Sequence, residues 1–291
     1  MNLLKETKTL LIKYHLSPDL LLHQNFCVDG AVLDVVVDAG ALTKEDIVLE
    51  IGAGTGLLTK KLAEKVKKVI AIEKDERLKP ALQENLRGGF PNKKIEIIFA
   101  DALEILSKRK DYNKIIANIP YQLAEPLLSL LCTAPEVERS IERSIERTIL
   151  MVPKKFAVHV QEHPYFSAFF QFQWVQEVPR EAFYPPPKVI SAILVVTKKK
   201  NVGKKDFLLQ QLYLQREKKL KNALREACIA LAVREGKELT KKEAKKMIGV
   251  LKLSQKELEM SVARAPLFVI KAVEEKLDVE GKLEVKKKFK L

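Results

Sequence analysis

Three glycines separated by single residues, Gly52, Gly54 and Gly56 in VLEIGAGTGLLT, stand between a β-branched apolar run and a helical pattern. Glycine at such a junction lets the backbone approach a bound ligand closely, and the helix that follows offers free N–H groups. Glu73 ends the next apolar run, where a carboxylate can accept hydrogen bonds from both hydroxyls of a ribose. Asp101 follows the third run, within reach of an adenine amino group. Acids at the carboxyl ends of consecutive strands surround the crevice in which such sheets bind ligands. The fourth run ends in Asn118-Ile119-Pro120-Tyr121. Proline fixes its own φ and restricts the residue before it, so a side-chain carbonyl and a neighbouring main-chain carbonyl can face one point. Two acceptors so placed bind the two hydrogens of an exocyclic amine and bias its nitrogen towards presenting the lone pair. Tyr121 offers a stacking face for a base. Such a set supports group transfer by alignment and exclusion of water, with no side-chain nucleophile.

Glu73 by itself has a solvated strand end as its lesser reading; together with Gly52, Gly54 and Asp101 it reads as the rim of a ligand crevice. No GxxxxGK[ST] loop is present, which disfavours phosphoryl transfer, and no G-x-S-x-G elbow for acyl transfer. A nicotinamide dinucleotide remains open on the glycines and Glu73 alone, since an acid in that place serves that cofactor too. Cys27, Cys132 and Cys228 are about a hundred residues apart and suit a reducing compartment rather than a disulfide framework. His159 and His163 have i,i+4 spacing, but no Asp, Glu or Cys grouping completes a metal site, so no metal is expected.

The elements that must position these residues follow from the patterning. Apolar runs at 47–51, 69–73, 95–100, 114–118 and 148–152 alternate with helical spacing, the signature of a parallel sheet with helices on both faces. FFQFQWVQ and SAILVVT follow without room for a helix between them and predict an antiparallel pair that completes the sheet. ERSIERSIERT, 138–148, repeats a four-residue unit whose spacing would line Glu and Arg in rows on an exposed helix. Beyond Thr197 the run KKKNVGKK changes the composition. FLLQQLYLQREKKLKNALREACIALA then keeps an apolar stripe, and Thr240 to Glu243 and Ser254 to Glu257 fit capping boxes. The N-terminus alternates charged and apolar residues and does not read as a secretory signal, and no apolar stretch is long enough to span a membrane.

The net charge of +14 is concentrated: residues 198–291 hold 26 Lys and Arg against 13 Asp and Glu. That asymmetry points to a polyanionic partner, because each phosphate neutralised releases condensed counterions.

Taken together the chain resembles the KsgA-type small-subunit ribosomal RNA adenine dimethyltransferases, which use S-adenosylmethionine. The matching segments are HQNFCVD (23–29), VLEIGAGTGLLT, AIEKD (71–75), ADAL (100–103), NIPY, EAFYPPPKVISAIL (181–194) and REKKLKNAL (216–224), in the family's order. The resemblance implies a Rossmann-like class I S-adenosylmethionine methyltransferase domain, α/β in class, over residues 1–197. A small, basic, all-helical RNA-binding domain would occupy 198–291. It implies that Asn25, the residue at Cys27, Gly52, Glu73, Asp101 and Asn118 line the S-adenosylmethionine site, to which the residue pattern itself adds Gly54. It further implies that Asn118, Pro120 and Tyr121 hold a target adenine, with Phe183 stacking on its other face; on its own, Phe183 reads as a core aromatic.

Three positions depart from the family. Cys27 stands where Leu is usual, MVPKK where MVQKE is usual, and YFSAF (165–169) where YGRLS is usual. The expected activity is dimethylation of the N6 amine of two adjacent adenines near the 3′ end of small-subunit ribosomal RNA, within small-subunit biogenesis. The expected protein is a cytoplasmic monomer whose partner is that RNA or the pre-small subunit, with no membrane association. Two alternatives remain: a large-subunit RNA adenine methyltransferase of the erythromycin-resistance type, and a non-catalytic assembly or transcription factor that retains the fold. The long C-terminal segment weighs against the first and the intact Asn118 to Tyr121 motif against the second.

Overall fold

The structure is a computed structural model that describes residues 2–19, 22, 24–91, 93–119, 121–133 and 145–279. Pro120 and most of the four-residue repeat, 138–144, lie outside the described residues, as does the side chain of Tyr121. Among the described residues the nine strands are β1 (Phe26–Cys27), β2 (Ile47–Ile51), β3 (Lys68–Glu73), β4 (Ile95–Phe99), β5 (Lys114–Asn118), β6 (Arg147–Pro153), β7 (Phe170–Val178), β8 (Phe183–Tyr184) and β9 (Ser191–Lys198). Among the described residues the helices are α1 (Leu3–Lys13), α2 (Gly30–Ala39), α3 (Leu57–Lys65), α4 (Lys79–Leu86), α5 (Ala102–Lys108), α6 (Tyr121–Thr133), α7 (Lys154–Glu162), α8 (Pro164–Phe169), α9 (Lys204–Leu214), α10 (Leu220–Arg234), α11 (Lys241–Val250), α12 (Gln255–Glu259) and α13 (Leu267–Val279).

The chain divides into two compact units, one of residues 1–161 and 171–198, the other of 162–170 and 199 onward. In the first, seven strands lie in the order β4-β3-β2-β5-β6-β9-β7. The pairs β3/β4, β2/β3, β2/β5 and β5/β6 are parallel, and β9 runs antiparallel to β6. Val48, Leu49, Ile70, Ile115 and Ile116 are fully buried, as unbroken β-branched runs require when helices cover both faces. The order turns back between β2 and β5, so the loops after these two strands open beside each other, the place where open α/β sheets hold ligands. At the opposite end, the polar residues where β2 and β5 begin are satisfied among themselves. Asn113 donates to Asp46 at 2.7 Å and Lys114 pairs with Asp46 at 2.9 Å, so neither strand entry leaves a buried charge alone. A second, two-stranded ladder pairs β1 with β8, setting Phe26 against Tyr184 and Cys27 against Phe183.

The other unit is helical. The long apolar stripe from Phe207 does not form one helix: α9 stops at Leu214 and α10 starts at Leu220. The reason is non-local. Arg216 and Lys218 carbonyls accept from Ala263 and Val262 N–H, Leu220 N–H donates to Met260, and Lys219 bridges Ser261. Backbone groups committed to that distant segment are lost to the helix ladder. Both capping boxes form, Thr240 with Glu243 and Ser254 with Glu257. YFSAF forms α8, and its aromatic residues pack on α9: Tyr165 and Phe169 meet the Tyr213 ring at 5.3 and 5.6 Å in edge-on geometry. Among the described residues no helix is long and apolar enough to cross a membrane.

Candidate active site

Where β2 ends, the chain turns through Gly52 at φ +82° and Gly54 at φ +56° before α3 begins at Leu57. An L side chain is disfavoured in that left-handed region by about 1–2 kcal/mol. Space forbids one as well. A Cβ at Gly52 would stand 3.2 Å from the Asn118 carbonyl oxygen, and one at Gly54 would stand 3.0 Å from the Phe26 ring. The glycines thus let the loop press against the ends of β5 and β1. Gly52→Ala is expected to lower unfolding free energy by about 1–2 kcal/mol, read by urea denaturation. Wild-type stability in that variant would mean that the loop does not need its left-handed turn.

Glu73, at the end of β3, is 8% exposed. Its Oε2 accepts the Gly54 N–H at 2.8 Å, and its Oε1 accepts those of Lys74 and Asp75 at 2.8 and 2.9 Å. Burial pushes this carboxyl above the usual range, and the three N–H donors oppose that shift. The carboxylate thereby ties the glycine loop to β3 and keeps lone pairs for further donors.

Asp101 lies at the end of the neighbouring strand. Its Oδ1 caps α5 through Leu103 N–H at 2.9 Å, and its Oδ2 takes Lys74 Nζ at 3.0 Å. The lysine holds its carboxyl below the usual range. The pair is well exposed and contributes little to stability.

Asn118 ends β5 opposite Met151 of β6, and Ala117 before it faces Ile51, so Asn118 and Gly52 are the next residues on adjacent strands. Its Nδ2 donates to the Asn25 carbonyl at 3.3 Å. A carbonyl only accepts, so the amide nitrogen must face Asn25 and Oδ1 must face elsewhere. Ile119, buried, anchors the strand end by donating to Met151 O at 3.2 Å. Asn25 is positioned in turn by Gln24, whose Nε2 donates to Asp75 Oδ2 at 2.7 Å just beyond Glu73. Cys27 is buried, and burial pushes its thiol up to about 12, so it acts as an apolar residue in the place of the usual Leu. Phe183, its ladder partner, is 5% exposed and belongs to the same core cluster. The structure therefore gathers Asn25, Gly52, Gly54, Glu73 and Asn118 around one strand-end crevice. Asp101 stands at its edge, and Cys27 and Phe183 lie behind it in the core.

Glu50 was not singled out by the sequence patterning. It is 1% exposed next to the last residue of β2, its Oε2 accepts the Thr59 hydroxyl at 2.7 Å, and its Oε1 has no partner among the described residues. Burial pushes its carboxyl up to about 8, with Glu73 adding to the shift. The signal was present as the one acid inside the apolar run IVLEI. Cavity volume alone does not mark the site. A cleft of about 530 Å³ lined by Arg147, Gln171 and Thr197 opens at the far end of the sheet, where β6 begins and β9 ends.

Residues 21–256 match the family described as ribosomal RNA adenine dimethylase. A relative from Pyrococcus furiosus, named probable ribosomal RNA small subunit methyltransferase A, is 30% identical over 284 residues, covering 93% of this chain and 96% of its own. Among solved structures, a dimethyladenosine transferase from Plasmodium falciparum aligns with TM-score 0.57 at 24% identity, over 88% of this chain and 98% of its own. The 23S rRNA methyltransferase ErmE aligns with TM-score 0.53 at 21% identity, over 87% and 100%. These structures share the fold, a class I methyltransferase sheet, and their similarity does not separate one RNA substrate from another. The match over most of the chain and the full-length likeness to the Pyrococcus protein place this chain in the ribosomal RNA adenine dimethylase family.

Proposed function

We infer that this protein transfers methyl groups from S-adenosylmethionine to the N6 amine of adenine in small-subunit ribosomal RNA, twice on each of two adjacent adenines near the 3′ end. The observation that carries the reading is Asn118. Its amide is oriented by the Asn25 carbonyl, and its oxygen has no donor among the described residues at the strand-end crevice. The name of the Pyrococcus relative supports the choice of RNA.

The residues present fit the methyl donor. Gly52 and Gly54 leave space where Cβ atoms would stand, Glu73 keeps acceptor capacity, and Glu50 Oε1 is a buried polar atom without a partner among the described residues. When bound, S-adenosylmethionine supplies an electrophilic methyl group on positively charged sulfur. Glu73 would accept from ribose hydroxyls. Asp101 would accept from the cofactor's adenine amine, with Lys74 giving way. Asn25, Gly52 and Gly54 would line the same site, beside the backbone at Cys27.

On the substrate side, Asn118 Oδ1 and a neighbouring main-chain carbonyl would hold the two N6 hydrogens and leave the nitrogen lone pair facing the crevice. Pro120 would restrain that carbonyl, Tyr121 at the start of α6 would stack on the base, and Phe183 would back its other face. The proton released from N6 passes to solvent. The base must leave its stack to reach this position. In this reading the domain of residues 1–197 carries the chemistry and residues 198–291 grip the RNA, with affinity that falls steeply with salt.

The test is incubation of the protein with labelled S-adenosylmethionine and under-methylated small subunits, mature small subunits or large-subunit RNA, followed by mapping of modified adenines. Dimethylated adenines confined to the under-methylated small subunits are expected. Label in large-subunit RNA only would overturn the choice of substrate, and absence of label despite cofactor binding would favour a role by occupancy.

A further inference from the structure

Positive charge in the helical unit is neutralised unevenly. Lys204 and Lys237 both pair with Glu235, at 2.6 and 3.1 Å; Lys218 pairs with Glu226; Lys219 and Lys221 share Glu259. On α11 the balance is different. Lys241, Lys242, Lys245 and Lys246 are all exposed, and none has an acidic partner among the described residues. The acid of that helix, Glu243, is turned to the N-cap, where it accepts from the Thr240 hydroxyl at 2.6 Å and the Thr240 N–H at 3.0 Å.

Helical geometry sorts these residues. Lys242, Lys245, Lys246 and Gly249 are spaced i, i+3, i+4 and i+7 and share one face. Ala244 and Ile248, on the other side, are buried. Gly249 is exposed, and a Cβ built on it would meet nothing within 4 Å. The face is therefore three ammonium groups around a patch of bare backbone. Just past the helix, Lys252 is exposed as well, in a left-handed conformation at φ +47° that its neighbours must hold. Like charges four residues apart destabilise a helix, and glycine within one does too, so the stripe is not what stability alone would select.

We propose that the Lys242-Lys245-Lys246 stripe of α11 is the surface on which this protein holds the sugar-phosphate backbone of its RNA. Recognition there is by charge and close approach, without reading of sequence. The proposal rests on the reading of the protein as an RNA enzyme and names the part of its helical unit that does the holding. A protein partner is a poorer fit, because interface cores are depleted in lysine. A membrane surface is also poorer, because the stripe carries none of the exposed large apolar side chains that an interfacial helix inserts. Lysine contacts to phosphate fix position and carry no sequence information, which suits a surface without aromatic or amide groups.

The experiment uses the full chain and an in vitro transcribed 3′ domain of small-subunit ribosomal RNA, with affinity measured from about 50 to 200 mM salt. In the variant Lys242→Gln/Lys245→Gln/Lys246→Gln the slope of log K against log salt is expected to become shallower by about 2 to 3. Affinity at low salt should fall about tenfold or more, with the melting temperature unchanged or raised. The control Lys204→Gln/Lys237→Gln, whose lysines are already paired, should change the slope far less per residue. A triple variant with the wild-type slope overturns the proposal, as does a control with an equal loss per lysine. Phosphatidylserine vesicles bound with the same lysine dependence, while RNA binding is unaffected, also overturn it. Methyl transfer is read in parallel. A lysine-dependent slope without any transfer removes the functional reading and leaves the surface, and transfer with an unchanged slope does the reverse.

Discussion

Replacing Asn118 by alanine is expected to slow methyl transfer to under-methylated small subunits by about 10²- to 10³-fold, the usual loss when one preorganised polar group is removed from a reacting centre. The backbone at this position is retained, so the close approach of Gly52 to the Asn118 carbonyl survives. Cofactor affinity, read by calorimetry, should therefore stay within a few-fold of wild type, as should RNA affinity. The bond from Nδ2 to the Asn25 carbonyl disappears, and at 3.3 Å its loss costs about 0.5–1.5 kcal/mol at most. Single-turnover transfer from labelled S-adenosylmethionine separates the chemical step from binding. Unchanged turnover would remove Asn118 from the mechanism. An equal loss of cofactor binding would make it a residue of the donor site alone.

A Glu50→Gln variant is expected to be more stable than the wild type at alkaline pH and indistinguishable from it at acid pH. Glu50 is buried and its carboxyl is held near 8, against an ordinary value of 4.5. Between those values the folded chain keeps a proton that the unfolded chain has lost, so native stability falls as pH rises through that window. As far as this residue is concerned, stability is fully present below about 4.5 and lost by about 8. The full span corresponds to a loss on the order of 3 to 5 kcal/mol. Glutamine removes the titration and can still bond the Thr59 hydroxyl. Urea denaturation of both proteins at several pH values, without added cofactor, should show the stability difference opening with rising pH. Parallel pH profiles for the two proteins would show that Glu50 is ionised in the folded state.

How much of this was legible beforehand differs from element to element. The five parallel strands could be read directly, since a strand covered by helices on both faces must be apolar throughout and no other short element needs that. The two capping boxes were equally legible, because each is closed by residues three positions apart. Local rules failed where distant backbone intervened. The apolar stripe from Phe207 gives no sign of where a helix must stop, and the segment 260–263 separates α9 from α10 by engaging the Arg216 and Lys218 carbonyls and the Leu220 N–H. YFSAF reads from the resemblance only as a departure on the substrate side, and the structure shows α8 packing its aromatic rings on Tyr213. Phe183 followed its plain reading as a core aromatic in burial, and only the β1/β8 ladder shows that it stands directly opposite Cys27.

By itself the amino-acid order determined the class of fold, the crevice and the residue types around it. Glycines, strand-end acids and Asn118 are dictated by local needs: a left-handed turn, a carboxylate beside N–H groups, an amide before a proline. Tertiary structure alone decided which of those groups are engaged. Asn25 orients the Asn118 amide, Lys74 holds Asp101, Glu50 is buried with one oxygen unpartnered among the described residues, and acidic side chains among the described residues leave the exposed lysines of α11 uncovered. Each of these depends on residues far apart in the chain meeting in space, and no spacing rule within a segment encodes it.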